Sequence, residues 1–254
     1  MSGAGLRENA FAIEFRNAAF TINGRAILRD VSITIDPGET MVLLGRSGSG
    51  KTTALRLING MLMPTAGEVL VNGKPTVEWD LVRLRRSIGY VIQEGGLFPH
   101  FSVERNVGLV PRLEAWPEDR VMARTAELLN RVGLPHADFA QRLPRQLSGG
   151  QRQRVGVARA LAADPALLLF DEPFGALDPV TRLDLQNEFL RLRGEFGTTS
   201  VFVTHDVREA TKLATRIALL DQGSIAFLGT PAEFRACTHP EARAFLAVLE
   251  EAAE

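Results

Sequence analysis

Two kinds of hydrophobic pattern follow one another along this chain of 254 residues. Residues 11–20 and 26–35 alternate apolar and polar positions on either side of Asn23-Gly24, which predicts two antiparallel strands joined by a tight turn. Residues 68–71, just before a second Asn-Gly pair, are predicted to join that layer. Four short runs are apolar throughout, as is typical of strands buried on both faces, and they predict a parallel sheet: 41–44, 88–92, 167–170 and 201–203.

Helical spacing fills the stretch between the second and third apolar runs. Between Pro117 and Gly133 the apolar face consists of Val121, Thr125, Leu128, Leu129 and Val132. Further helices are predicted over 151–163, stopped near Asp164-Pro165, over 179–196, and over 240–254 as a short C-terminal helix. We therefore expect a single domain over 1–254, of α/β class, with an inserted helical subdomain at about 95–160.

Composition narrows the set of partners. The 29 basic and 30 acidic residues leave a net charge of −1, so no general field would hold nucleic acid, and we expect no nucleic-acid partner. The single cysteine, Cys237, cannot form an internal disulfide, which suits a reducing cytosol. No secretory signal is expected in the first ten residues, and no run approaches the roughly 18 apolar residues of a spanning helix. A membrane role would therefore require a membrane-bound partner.

A phosphate-binding loop follows the first apolar run. Its sequence GRSGSGKT matches GxxxxGK[ST] and lies between a predicted strand and a predicted helix, the context that such a loop requires. Backbone N–H groups would surround a phosphate, Lys51 would contact the β- and γ-phosphates, and Thr52 would coordinate Mg²⁺. The alternative is a glycine-rich turn that only starts a helix. The predicted nucleotide-binding residues here are Gly45, Arg46, Ser47, Gly48, Ser49, Gly50, Lys51, Thr52 and Thr53.

Two carboxylates, Asp171 and Glu172, follow the third apolar run. At the carboxyl edge of a parallel sheet they would face the phosphates. Asp171 would hold Mg²⁺ through water, and Glu172 would polarise the attacking water as general base. An acidic turn at a strand end before Pro173 is the alternative interpretation.

A second anion-binding sequence, Leu147-Ser148-Gly149-Gly150-Gln151, precedes the helix predicted over 151–163. Ser148 is the expected N-cap, and the two glycines would leave backbone N–H groups accessible to an anion. An ordinary capped helix is the alternative. No simple kinase or GTPase needs two such sequences at this distance.

With these motifs the chain resembles the nucleotide-binding subunits of ATP-binding cassette transporters, from about Phe11 to at least Thr230. The resemblance implies a P-loop NTPase with a RecA-like parallel sheet core that hydrolyses ATP with Mg²⁺. It also implies a head-to-tail homodimer, in which Ser148, Gly149, Gly150 and Gln151 cover the γ-phosphate bound by the other subunit.

The resemblance assigns four further residues. Gln93 would touch Mg²⁺ and the attacking water, and His205, 33 residues after Glu172, would contact the γ-phosphate as the switch histidine. Asp178, in Gly175-Ala176-Leu177-Asp178, would cross the dimer interface. Phe20 stands where the family has an adenine-stacking aromatic, usually Tyr, although it could equally be a core strand residue. The predicted catalytic residues are Glu172, His205 and Gln93, and the predicted metal ligands are Thr52, Gln93 and Asp171.

One segment indicates a branch of the family. Residues 92–107, with Leu97 and Phe98 before Pro99, lie where family members dock the coupling helix of the membrane subunit. The sequence of this segment resembles that of the ATPases of importers for glycine betaine, choline and related quaternary amines. This implies permease subunits and, indirectly, a solute-binding protein as partners, with the chain at the cytoplasmic face of the inner membrane. Many such ATPases carry a C-terminal module of paired cystathionine-synthase-type repeats, and we expect no ionic-strength sensor of that kind in these residues.

Other interpretations stay open at this point. The ATPase could serve an exporter or a lipid-trafficking system. A soluble cassette ATPase of DNA repair or translation is disfavoured because the chain has no long coiled-coil insertion, second cassette or basic surplus. A regulatory module without turnover is disfavoured because Lys51, Asp171, Glu172 and His205 are all present.

Overall fold

The computed structural model describes residues 11–93, 96–175 and 177–250. Predictions for residues 1–10, Glu94, Gly95, Ala176 and 251–254 lie outside these ranges. The chain divides into two compact units: one runs to Leu84 and resumes at Gly197, and the other is Arg85–Phe196. Within the described ranges, no helix combines the length and the apolar character that crossing a bilayer requires.

The described residues form strands, helices and short 3-10 turns. The strands are β1 (Ile13–Ile22), β2 (Arg25–Ile35), β3 (Thr40–Leu44), β4 (Ala66–Val71), β5 (Lys74–Pro75), β6 (Ile88–Val91), β7 (Leu167–Asp171), β8 (Thr199–Thr204), β9 (Arg216–Asp221) and β10 (Ser224–Gly229). The helices are α1 (Lys51–Ile58), α2 (Leu81–Arg86), α3 (Val103–Val107), α4 (Leu109–Leu113), α5 (Glu118–Arg131), α6 (His136–Phe139), α7 (Gly149–Leu161), α8 (Pro179–Phe196), α9 (Val207–Leu213), α10 (Pro231–Arg235) and α11 (Pro240–Glu250). Short 3-10 turns occupy Thr76–Glu78 and Pro144–Gln146.

The predicted antiparallel layer is confirmed in the first unit, in the order β2-β1-β4-β5. Asn23 and Gly24 both have positive φ, 50° and 74°, as a two-residue type I′ hairpin turn requires. Because this turn uses only two residues, β1 extends to Ile22 and β2 begins at Arg25, closer to the turn than predicted. The alternating face buries Ile13, Phe15 and Ala18 of β1.

The same unit contains parallel strands. β3 pairs in parallel with β8 on one side and with β9 on the other, and β10 is antiparallel to β9. Every residue of β3 and β8 is buried, which explains why both strands read as continuous apolar runs. β9 and β10 were not predicted.

In the second unit, β6 pairs in parallel with β7. β6 ends one residue before the predicted limit, because Ile92 has left the strand and is 36% exposed. The predicted face of α5 is confirmed. Helix α7 stops at Leu161 rather than residue 163, because Asp164 has a φ of 52° that cannot continue a right-handed helix. The α/β class is thereby confirmed.

Gly89 brings β6 and α7 into close backbone contact. A Cβ atom at this position would lie 2.3 Å from the carbonyl oxygen of Ala160 and 2.7 Å from Leu168 Cδ2. Only glycine permits this approach. The C-terminal part of α7 is therefore fixed against the strand that leads to Gln93.

Candidate functional site

The phosphate loop joins β3 to α1 in the first unit, as predicted. Gly50, immediately before α1, has φ 105°, and a Cβ there would lie 2.6 Å from Leu28 Cδ2 and 2.9 Å from the carbonyl oxygen of Ile27. Both its torsion and its surroundings therefore require glycine. The Ser49 N–H closes the loop by donating to the Arg46 carbonyl oxygen at 3.2 Å.

Lys51 is buried within this loop. The residue is only 5% exposed. Its Nζ donates to the carbonyl oxygen of Gly45 at 2.7 Å and to that of Arg46 at 2.8 Å. A buried ammonium needs such acceptors. Ser49 Oγ is also buried and has no hydrogen-bond partner among the described residues. A buried cation beside an unused hydroxyl, at a helix start, suits an anion with several acceptor oxygens, so the loop fits the phosphates of ATP.

Arg46 turns its side chain away from the loop towards the C-terminal helix. Arg46 Nε lies 2.6 Å from Glu241 Oε1, and Nη2 lies 3.3 Å from Glu241 Oε2. This pairing raises the pKa of the Arg46 guanidinium. The backbone of Arg46 belongs to the loop, whereas its side chain links the loop to α11.

Three more predicted residues lie in the first unit. Phe20 lies on β1 opposite Leu28 and is only partly buried, so it is not a residue of the closed core. Thr52 and Thr53, in the first turn of α1, are half-buried. His205 comes directly after β8 and is exposed, and the next residue, Asp206, caps α9 by accepting from the Arg208 N–H at 2.8 Å.

The two predicted acidic residues lie at the end of β7 in the second unit. Asp171 is the last residue of this strand, and the Tyr90 hydroxyl donates to its Oδ2 at 3.2 Å. Glu172 follows with a φ of 45°, a left-handed conformation that costs a residue with a Cβ roughly 1–2 kcal/mol. Such outliers concentrate at functional sites, where the surrounding structure holds them. Sequence reasoning missed Tyr90, whose only signal was a hydroxyl within an otherwise apolar run.

Gln93 and Glu172 converge on Gly175. A Cβ placed on Gly175 would lie 3.8 Å from Glu172 Oε2 and 4.0 Å from Gln93 Nε2. The Gly175 N–H also donates to the Glu172 carbonyl oxygen at 3.3 Å, which closes a tight turn after β7. The structure thus brings together the amide and the carboxylate that sequence analysis gave to the attacking water.

Ser148 is the N-cap of α7, as predicted, and forms a capping box with Gln151. Ser148 Oγ accepts from the Gln151 N–H at 3.2 Å, and Gln151 Oε1 accepts from the Ser148 N–H at 2.9 Å. The first turn of α7 is therefore held in place at an exposed surface.

Thr181 connects this turn to Asp178. A Cβ on Gly150 would lie 2.5 Å from Thr181 Cγ2, so the Thr181 side chain packs directly against the Gly150 backbone. The Thr181 N–H donates to Asp178 Oδ1 at 3.0 Å, and this hydrogen bond lowers the pKa of the Asp178 carboxyl. Ser148 to Gln151 and Asp178, two segments predicted to face a partner subunit, thus meet at one residue.

A groove of about 310 Å³ opens in the second unit. It combines apolar side chains with three guanidinium groups, and Phe98 at its wall is 43% exposed. Its lining includes Arg85, Arg86, Ile88, Gly89, Tyr90, Ile92, Gly96, Phe98, Leu109, Val110, Arg159 and Ala160. Arg159 donates to the Gly96 carbonyl oxygen at 2.8 Å, and burial lowers the pKa of its guanidinium.

Asn106 holds the wall of this groove and was not found by sequence analysis. The side chain is fully buried; Oδ1 accepts from the Phe98 N–H at 2.9 Å. Nδ2 lies within hydrogen-bond distance of the carbonyl oxygens of Phe98, Phe101 and Ser102, at 3.1 to 3.2 Å. One buried amide therefore fixes the loop that exposes Phe98.

A lysine buried in a glycine loop between a parallel strand and a helix defines a P-loop nucleotide-binding protein. The model of one such family, described as ABC transporter, matches residues 28–175. The chain belongs to the ABC transporter family.

Relatives extend the match beyond these residues. The chain is 49% identical over 210 residues to the glycine betaine/carnitine/choline transport ATP-binding protein OpuCA of Bacillus subtilis strain 168, covering 83% of this chain and 55% of the relative. It is 46% identical over 219 residues to the glycine betaine uptake system ATP-binding protein YehX of Escherichia coli K12, covering 86% and 71%. The chain spans about half the length of the OpuCA relatives it matches.

A solved structure also matches the fold. A dimeric ATP-binding cassette in a post-hydrolysis state, bound to ADP and Pi, superimposes with a TM-score of 0.78 at 34% identity, covering 86% of this chain and 98% of that one. The predicted P-loop NTPase fold is therefore confirmed.

Proposed function

We propose that this chain is the ATP-hydrolysing subunit of an ABC importer for glycine betaine, choline or a related osmoprotectant. The observation that carries the ATPase is Lys51, buried in the glycine loop with its ammonium on loop carbonyls that a phosphate can replace. The solute follows from what the similar proteins are named to transport, since no residue described above is assigned to the solute.

In the first unit, the phosphate loop holds the nucleotide. Lys51 exchanges its bonds to Gly45 and Arg46 for the β- and γ-phosphate oxygens, and Ser49 Oγ gains a partner. Phe20 is partly exposed and would stack its ring on adenine. His205 contacts the γ-phosphate.

In the second unit, Glu172 is the general base. Gln93 converges with it on Gly175, so the amide orients the attacking water while the Glu172 carboxylate takes its proton. In this unit Gln93 and Asp171 would be ligands of Mg²⁺, as Thr52 would be in the first unit, and the ion would neutralise phosphate charge. Tyr90 donates a hydrogen bond to Asp171 and keeps that carboxylate oriented.

The working form is a head-to-tail homodimer closed by ATP. The similarity to a dimeric cassette supports this arrangement. Exposed Ser148, with the N–H groups of its helix start, covers the γ-phosphate bound by the second copy, and Asp178 crosses the interface. We expect Ser148→Arg to block dimer closure but to leave ATP binding to each monomer intact; loss of monomer binding as well would refute the arrangement across the dimer.

The groove of the second unit receives a short helix of a permease subunit. Exposed Phe98 and Ile92 offer apolar contact, and a buried Asn106 keeps the wall in one conformation before any partner arrives. The same proposal has the chain work at the cytoplasmic face of the membrane and serve a solute-binding protein only through the permease.

The test of the whole function is uptake of labelled glycine betaine and choline at raised osmolarity, in source cells that lack this gene. We expect the wild-type chain to restore uptake and Glu172→Gln to fail, while Glu172→Gln retains ATP binding and accumulates an ATP-bound dimer. Uptake that was never impaired would remove the quaternary-amine assignment and leave the transport ATPase. Normal hydrolysis by Glu172→Gln would remove Glu172 from the role of base.

The docking groove is tested separately in the same cells. Phe98→Asp is expected to keep the ATPase activity of the isolated chain but not to restore uptake. Met122→Asp is the matched control, because Met122 lies in the same unit, is 48% exposed and does not line the groove. Equal uptake with both variants would exclude the groove as the permease site.

A further inference from the structure

Helix α9 carries a buried glutamate four residues after His205 in the chain. Glu209, on α9, is 4% exposed, and its Oε2 accepts a hydrogen bond from the Thr204 hydroxyl at 2.6 Å. Removing a carboxyl group from water is costly unless it is hydrogen-bonded. None of the roles proposed above uses Glu209 or Thr204.

The Thr204 hydroxyl links both neighbours of His205. It donates its proton to Glu209, and the same oxygen accepts from the Asp206 N–H at 3.0 Å. Thr204 and Asp206 flank His205 in the chain, so one hydroxyl fixes the backbone on both sides of it. The imidazole itself is exposed.

We propose that Glu209 is a positioning residue for His205. Glu209 accepts the hydrogen bond of the Thr204 hydroxyl and thereby orients that hydroxyl. The hydroxyl in turn holds the backbone of residues 204–206, so the imidazole is presented in one orientation before nucleotide binds. The inference rests on the proposed function, in which His205 contacts the γ-phosphate. Prealigned groups carry no reorganisation cost at the moment of reaction, and a displacement of about 1 Å can cost roughly a hundred-fold in rate.

Two pairs of variants test this in the isolated chain. Glu209→Leu and Thr204→Val remove the hydrogen bond, and we expect each to lower kcat about ten-fold or more while the Kd for ATP stays within about two-fold. Glu209→Gln keeps a carbonyl acceptor and Thr204→Ser keeps the hydroxyl, so both should retain most of kcat. Thr211→Val is the matched control, because it removes a hydrogen bond to the Val207 carbonyl oxygen on the same helix without touching residues 204–206.

The double variant Glu209→Leu/Thr204→Val separates positioning from stability. The double variant removes the Thr204 hydroxyl that Glu209→Leu leaves without its acceptor, so the thermal midpoint should recover in part relative to Glu209→Leu. The recovery is partial because the Asp206 N–H loses its acceptor, the Thr204 oxygen. The low kcat should not recover, because nothing then aligns the 204–206 backbone. Recovery of both quantities would show that Glu209 only stabilises the fold, and would overturn the proposal.

A spectroscopic measurement decides the question without turnover. The chain has four histidines, so the His205 ring resonance can be assigned by ¹³C-edited NMR with His205→Ala as reference. We expect Glu209→Leu to shift or broaden that resonance and Thr211→Val to leave it unchanged. An unchanged resonance in Glu209→Leu overturns the proposal. A wild-type chain without ATPase activity, or His205→Ala with full activity, instead overturns the role of His205 in the proposed function.

Discussion

Ser148 has two roles in the proposed mechanism, as the N-cap of α7 and as a ligand of the γ-phosphate, and Ser148→Ala can separate them. As an N-cap it accepts one hydrogen bond, from the Gln151 N–H at 3.2 Å. Losing a serine N-cap costs about 1 kcal/mol, which in a chain of this length lowers the thermal midpoint by about 2–4 °C. As a ligand of the γ-phosphate in the partner's site it would donate a charge-assisted hydrogen bond. Such a bond contributes about 1.5–3 kcal/mol, so its loss lowers turnover about ten- to a hundred-fold.

Thr230→Ala supplies the control. Thr230 caps α10 in a capping box of the same kind, accepting from the Glu233 N–H at 3.3 Å, and the proposed mechanism gives it no contact with nucleotide. Both variants should therefore lose a similar amount of thermal stability. Only Ser148→Ala should lose ATPase activity, measured at chain concentrations where ATP drives dimerisation. Equal ATPase activity in the two variants, at equal loss of stability, would show that Ser148 is a helix cap and nothing more.

Three further variants address other parts of the structure. Gly89→Ala places a methyl group 2.3 Å from the Ala160 carbonyl oxygen, so we expect the free energy of unfolding to fall by about 1–3 kcal/mol. An unchanged denaturation midpoint would contradict that contact. Phe20→Ala should weaken ATP binding by about three- to ten-fold and Phe20→Tyr should not, in a titration with fluorescent ATP; equal affinities would return Phe20 to a purely structural role. Glu241→Ala removes the ion pair with Arg46 and should raise the KM for ATP about two- to five-fold at low salt, and this difference should vanish at high salt. Glu14→Ala, which removes the exposed ion pair with Arg16, is the control. An equal effect of both variants would refute the link between Glu241 and the phosphate loop.

The sequence predicted elements more reliably than contacts. The helix over 179–196, the apolar face of α5 and the cap at Ser148 were all predicted, because propensity and periodicity act over a few neighbouring residues. β10 was not predicted, although residues 225–228 form a short apolar run, and its residues are only partly buried.

Contacts between side chains that are far apart in the chain could not be predicted from the sequence. Arg46 meets Glu241 across 195 positions, and Tyr90 meets Asp171 across 81. Nothing local marks these residues, because tertiary packing alone brings the partners together. Sequence analysis gave Asn106 no role, yet this residue is fully buried and holds the groove wall. The left-handed backbone at Glu172 was equally hidden, since no residue type demands it.

Because α7 contacts β6 at Gly89, near its C-terminal end, a small tilt of the helix about this contact displaces its N-terminal end. Its thirteen residues span about 20 Å, with Ser148 at one end and Ala160, pressed on β6, near the other. Gly89, Arg159 and Ala160 all line the groove, so a partner bound there would press on the C-terminal end of α7. A tilt of about five degrees at that point would carry Ser148 through roughly 1.7 Å, the size of helix shift that switches many assemblies. If the groove is the docking surface proposed above, a force applied there would reach Ser148, the residue proposed to cover the nucleotide of the neighbouring subunit, through the contact at Gly89.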